Sequence, residues 1–255
     1  MRGIDLNSDL GEGFGPWSMG DDAAMMDLIT SANVACGGHA SDPETMFITL
    51  SSAAKRGVVI GAHPGYADRE GFGRRVIPMS EGEIERMVAA QLGALMGIGA
   101  VAGARVRYVK PHGALGNLAA DNRAVADAIA RAIRAISPDL AVLAISGTEL
   151  EPASQAAGLQ VYSEIFADRA YLDTARLVPR ARPGAMIEDP HVAADRLLNF
   201  LRTGLMPTLD GGSIPLRAQS ICVHGDSPHA VAMARAIRMQ LTDEGVDWRP
   251  FLDIA

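Results

Sequence analysis

Short apolar runs alternate along this chain with longer stretches in which apolar residues recur every three or four positions. The short runs cover residues 4–7, 33–35, 58–61, 106–109, 140–145, 159–162 and 220–223. They lack a clear inside/outside alternation, as parallel strands covered on both faces do. The periodic stretches read as helices. Ser80 with Glu83 has capping-box spacing, and Ile84, Met87, Val88, Leu92 and Leu95 follow on one face. Asp121 opens another such stretch, with Val125, Ile129, Ile133 and Ile136 aligned. Asp42-Pro43, Asp189-Pro190 and Ser227-Pro228 each place a capping side chain before a first-turn proline. Gly57, Gly204 and Gly245 stand where such helices would end. Helices are also expected over 21–32 and 148–157.

The alternation predicts an α/β fold: one domain over 1–255, built as a distorted (β/α) barrel of about seven parallel strands. Eight is the commoner number, so the pattern leaves open an incomplete barrel or an unseen strand. Two segments interrupt it. Residues 63–78 form a long loop containing glycine and arginine, a candidate lid or substrate-contacting insertion. Residues 209–214, Leu-Asp-Gly-Gly-Ser-Ile, read as a hairpin turn before the last strand.

Six of the apolar runs stop on ionisable residues, which a barrel would deliver to one mouth. On the first strand Asp5, Asn7 and Asp9 share a face, and Glu12 follows in a glycine-rich loop. Buried unpaired, such groups are costly; they call for a metal, a cationic ligand group or neighbouring bases. The plainer alternative is a solvated strand end. His39, His63, His112 and His224 end other runs, and their company favours the functional reading. Lys110 and His112 flank a proline and would share one face, the lysine suited to an oxyanion and the histidine to proton transfer. Glu164 ends the sixth run, with Asp168 and Arg169 soon after. Among nearby arginines Arg180, stiffened by Pro179, is the best candidate to grip an anion. His191 and His229 follow helix-start positions and read as surface residues.

Composition narrows the partners. The 255 residues are 48% hydrophobic but only 5% aromatic, so small aliphatic side chains do most of the packing. A formal charge of −7 and no basic run argue against nucleic acid. The apolar stretch over 92–104 is short and punctuated by glycines, which argues against a membrane span. The chain enters a strand pattern without a leader, and Cys36 and Cys222 read as small buried hydrophobes; a cytoplasmic setting is expected. P-loop, dinucleotide, nucleophile-elbow and zinc-finger spacings are all absent from the sequence.

The ordered motifs are specific as a set. They are Asp5-Leu-Asn-Ser-Asp-Leu-Gly-Glu-Gly13, Ala32-Asn-Val-Ala-Cys-Gly37 with His39, Gly61-Ala-His-Pro-Gly65 and Gly71-Phe-Gly-Arg-Arg75. Val109-Lys-Pro-His-Gly-Ala-Leu115, Glu164-Ile-Phe-Ala-Asp-Arg169, Leu177-Val-Pro-Arg180 and Ile221-Cys-Val-His-Gly-Asp226 complete them. Together they resemble the LamB/YcsF family over practically the whole chain. The resemblance implies a barrel related to polysaccharide deacetylase-like barrels. It also implies ATP-dependent opening of 5-oxo-L-proline to L-glutamate, as the A subunit of a 5-oxoprolinase with B and C partners. Two departures stand out: Gly38 and Gly116 replace aromatic residues usual in the family, which would widen the site.

On this reading Asp9, Glu12, His63, Lys110 and His112 carry catalysis, while Asn7, His39, Glu164, Arg180 and His224 complete the substrate site. ATP is the expected cofactor, with magnesium accompanying it, and a homo-oligomer is compatible with the sequence. A competing reading is a stand-alone metal-dependent amide hydrolase or deacetylase, acting on small or carbohydrate substrates, with Asp9, His63 and His112 as ligands. A third is a binding protein whose chemistry occurs in a partner.

Overall fold

The computed structural model describes residues 3–226 and 229–253. Seven parallel strands close into a barrel: β1 (Asp5–Leu10), β2 (Ser31–Ala35), β3 (Val59–His63), β4 (Val106–Val109), β5 (Ala141–Ile145), β6 (Val161–Phe166) and β9 (Ser220–Cys222). The ring is complete with seven because β9 pairs with both β6 and β1. The remaining strands, β7 (Leu205–Pro207) and β8 (Ser213–Pro215), form the expected hairpin outside the barrel.

The helices form where the capping chemistry lies. In α2 (Pro43–Arg56) the Asp42 carboxylate accepts from the Glu44 and Thr45 amides, and Gly57 ends the helix in the left-handed region. The Ser80–Glu83 capping box starts α3 (Glu81–Ala102), and Asp189 with Pro190 starts α7 (Pro190–Thr203). The helix expected over 148–157 is α6 (Leu150–Ala156). The corresponding Ser227-Pro228 start lies outside the described residues. The last long helix, α8, spans Ala230–Asp243.

Three expectations need correction. The helix expected over 21–32 is only α1 (Asp22–Met26), because Thr30 is tied to β1, accepting from the Leu6 amide and donating to Asp5. Asn122, not Asp121, caps α5 (Arg123–Ile136); its side chain accepts from the Val125 amide. Asp121 instead ends α4 (Gly113–Asp121), whose small residues hid it from the periodicity. Finally, α3 extends well before the 92–104 run, and by length and composition it is long and apolar enough to cross a bilayer. It packs against α2 and α5 in the outer ring.

Strand periodicity sorts the side chains. Leu6, Leu10, Val34, Ile60 and Ala62 join the core between barrel and helices. Asp5, Asn7, Asp9, Asn33 and Glu164 are buried in a network of interior polar contacts. At its lower end Asp5 accepts from Thr30, Ser31 and Ser220. Tyr108 crosses the interior to donate to Asn33 Oδ1 at 2.6 Å. Gly61 makes that crossing feasible, since a β-carbon there would lie 2.2 Å from the Tyr108 ring.

Candidate active site

Parallel strands end on one rim, and this rim carries the charged tips. Asp9 closes β1, His63 ends β3, Lys110 and His112 follow β4, and His224 follows β9. Glu164 reaches the same level from within β6. Asp9, His63, Lys110, His112, Glu164, Arg180 and His224 line one cavity of about 420 Å³. Asn7, Glu12 and His39 do not line it. Asn7 sits beneath, its amide engaged by Ser220 and Glu164 and its carbonyl by Asn33 and Lys110. Glu12 and His39 stand behind His112, whose ring stacks on His39 at 3.6 Å and 3°.

Lys110 occupies the centre of the network. Its Nζ lies 3.0 Å from Glu164 Oε2 and 3.2 Å from both Asp9 Oδ1 and Asn7 Oδ1. Cys222 Sγ is 3.1 Å away. Burial alone would lower the lysine, but Asp9, Cys222 and Glu164 hold it well above its usual range. Burial raises Glu164 despite Lys110. For Asp9 burial is outweighed by His63 and Lys110, which keep its carboxyl well below the ordinary value. With its hydrogens engaged inside the barrel, the lysine's evident work is to neutralise two buried carboxylates.

The histidines pose a different problem. His63 Nδ1 donates to the Lys110 carbonyl at 2.6 Å, and His112 Nε2 donates to the Phe72 carbonyl at 2.8 Å. A carbonyl can only accept, so these nitrogens carry protons; in a ring with no second proton the other nitrogen is bare. Those bare atoms, His63 Nε2 and His112 Nδ1, face each other at 3.0 Å. Asp9 Oδ1 is 3.4 Å from the first, and Glu12 Oε1 is 3.6 Å from the second. Burial, then the other histidines, hold His39 and His112 well below the usual imidazole value; burial and Asp9 push Glu12 well above its own. Acceptors this close need a proton or a cation between them.

A divalent metal fits that requirement. Ligand atoms 2.0–2.1 Å from a tetrahedral zinc stand roughly 3.3 Å apart, close to the spacings just given. Donor atoms of Glu12, His39, His63 and His112 all lie within 4.8 Å of one another. Of the expected trio, His63 and His112 fall in this group with Glu12 and His39, whereas Asp9 falls in a separate group with Cys222 and His224. His39 Nδ1 is buried without a partner.

The long loop after β3 closes over this cluster. Phe72 supplies the carbonyl for His112, Arg74 lines the cavity, and Asp68 pairs with Arg75. Gly73 has φ +62°, and a β-carbon there would stand 2.6 Å from His39 Cβ, so the loop can lie flat on the rings only as glycine. The expected widening at Gly38 is absent. Gln91 fills that space, bonding both the amide and the carbonyl of Gly65. Gly116 does line the cavity.

Residues 4–255 match the LamB/YcsF family. The chain belongs to that family. One relative, named as a 5-oxoprolinase A subunit of Pseudomonas syringae pv. tomato, is 51% identical over 98% of each chain. Another of that name, from Paracidovorax citrulli, is 52% identical over 97% of this chain and 99% of its own. Among solved structures, the "lactam utilization protein" of Thermus thermophilus superposes with TM-score 0.91 at 41% identity, covering 98% of this chain and 99% of its own. A peptidoglycan N-acetylglucosamine deacetylase domain from Eubacterium rectale superposes with TM-score 0.50 at 12% identity over 98% and 88%, a likeness of fold alone.

Sequence reasoning passed over Asn33 and Tyr108, which brace Asn7 and Asp9. A usable signal existed for the tyrosine: two residues before Lys110, it shares that strand face.

Proposed function

We propose that this LamB/YcsF chain is the A subunit of a 5-oxoprolinase, a hydrolase that opens the cyclic amide 5-oxo-L-proline to L-glutamate. Support comes from the near full-length relatives of that name. The observation that carries the chemistry is the convergence of Asp9, His63 and His112 at the cavity wall, with Glu12 behind them, around bare acceptor atoms. ATP and the B and C subunits belong to this reading, as does a cytoplasmic location, with which the two unpaired buried cysteines agree.

A lactam carbonyl is a poor electrophile. Transfer of the ATP γ-phosphoryl group to its oxygen activates the ring carbon for water. His63 and His112 are placed to take the proton from that water, and Glu12 to relay it. The C–N bond then breaks, the nitrogen leaves as the amine with a proton from the same set, and a second water releases phosphate from the acyl phosphate. Glu12, His39, His63 and His112 would hold a metal ion, which when bound polarises the water or carbonyl oxygen; the free nitrogens of His63 and His112 would then be ligands, and taking the proton would fall to Asp9 beside them. Lys110 pairs with Asp9 and Glu164 and fixes them, while Arg180 and His224 face the substrate.

The test is glutamate release from 5-oxo-L-proline by the chain combined with its B and C partners. Formation should require ATP, all three subunits and an intact His112. Glutamate formation by the other two subunits alone, or full turnover with His112→Ala, would overturn the assignment.

A further inference from the structure

The cations around the cavity are unequally provided for. Lys110 faces Asp9 and Glu164, Arg74 pairs with Asp226 at 2.5 Å, and Arg176 pairs with Asp121 at 2.5 Å. Arg169 and Arg180 line the same cavity, yet among the described residues neither has a carboxylate within 4.0 Å. Asp168, the nearest in sequence, is taken by His224 Nδ1, which lies 2.8 and 3.0 Å from its two oxygens.

Arg169 is 5% exposed. Its Nη2 donates to the Val178 carbonyl at 2.6 Å, but its Nε is buried without an acceptor. Burial, followed by the Arg180 charge, pushes it down to about 10 against the raising pull of Asp168. Arg180 is exposed, and its one side-chain contact of hydrogen-bond type among the described residues is a weak one, to Met186 Sδ at 3.6 Å. The local order explains how the two reach one cavity wall. Arg169 leaves the end of β6, and the chain returns beside it through backbone bonds from Ala170 to Ala185 and Val178 to Ala170. Two guanidinium groups on one cavity wall, one of them buried with an unmet donor, share the single charge of Asp168, which His224 also engages, and are costly without a further counter-ion.

We infer that Arg169 and Arg180 form an oxyanion subsite in the cavity wall, completed by an anionic group of the ligand. A planar guanidinium fork matches a carboxylate or a phosphoryl oxygen pair. The ligand's identity rests on the function proposed above. It would be either the carboxylate of 5-oxo-L-proline or the phosphoryl group carried by the activated lactam. The existence of the subsite does not rest on that function.

Calorimetric titration of the full chain with 5-oxo-L-proline and, separately, with inorganic phosphate distinguishes the sources. Arg180→Ala, at an exposed position, keeps the fold; Arg169→Lys keeps a buried charge but loses the fork. Each is expected to weaken the recognised anion roughly 10- to 100-fold. A loss confined to 5-oxo-L-proline assigns the carboxylate, and a loss confined to phosphate assigns the phosphoryl group. Arginine-dependent binding of phosphate with no binding of 5-oxo-L-proline upholds the subsite and counts against the 5-oxoprolinase reading. Absence of both anions from the wild-type chain, or equal affinities in wild type and Arg180→Ala, overturns the subsite.

Discussion

Replacing Lys110 with methionine removes the one cation among the described residues that touches both Asp9 and Glu164 in the barrel interior. Its Nζ lies 3.0 Å from Glu164 and 3.2 Å from Asp9. Methionine fills much of the same volume but leaves both acids facing the space around Asn7. Breaking a buried ion pair from one side costs about 3–5 kcal/mol. A domain of this size loses roughly 2–4 °C of melting temperature per kcal/mol, so a fall of roughly 10 °C is expected. The deficit depends on pH. In the wild type Asp9 is held below its ordinary value, so its pairing stabilises above pH 4 and fades as pH falls through the lower folded value. In the variant both acids rise in the folded state, which then binds more protons than the unfolded chain and gains stability as pH falls. Urea unfolding followed by circular dichroism at pH 8, 6.5 and 5 should show the largest gap from wild type at pH 8. Adding Glu164→Gln should restore part of the loss. A deficit below about 1 kcal/mol at pH 8, or one that grows towards pH 5, would refute this account of the interior.

His63→Ala and His112→Ala should each lower glutamate formation by the assembled enzyme roughly 10²- to 10⁴-fold while unfolding curves stay close to wild type. Gly61→Ala drives a methyl into the Tyr108 ring and should cost about 3 kcal/mol. Combining it with Tyr108→Leu should cost less than the sum of the two, and strict additivity would deny the contact. Asp42→Ala removes the cap of α2 and the bond to the Gly15 amide, a loss of about 1–2 kcal/mol at pH 7. Because Asp42 is held down to about 2 by those amides, the difference should vanish between pH 4 and pH 2 in thermal melts.

The barrel was legible because local signals agreed with the fold. Asp42-Pro43 and Ser80–Glu83 start helices whatever the tertiary context, and apolar runs covered on both sides become strands. Where tertiary contacts decide, the sequence misled: Thr30, tied to β1, cut short the first helix, and α4 hid among alanines and glycines. The mouth residues could be named from their strand-end positions. Depth could not. Asn7 and Asp9 look equivalent in an extended segment, yet one braces the floor and the other lines the cavity. The bare nitrogens of His63 and His112 depend on carbonyls of Lys110 and Phe72, acceptors that backbone folding alone positions. The fit of Gln91 against Gly65 likewise lies 26 residues away in sequence and leaves no periodic trace.

The stave that shuts the ring is also the last to be made. Because β9 bridges β6 and β1, a nascent chain ending before Ser220 has two open strand edges and an uncovered polar lumen. Lys110 would lack Cys222, Asn7 would lack Ser220, and Asp168 would lack His224. Ring closure and assembly of the charged rim are therefore one event, delayed until Ser220–Cys222 has been made, and nicked or truncated products lacking this strand should fall to proteases rather than persist as partly closed barrels.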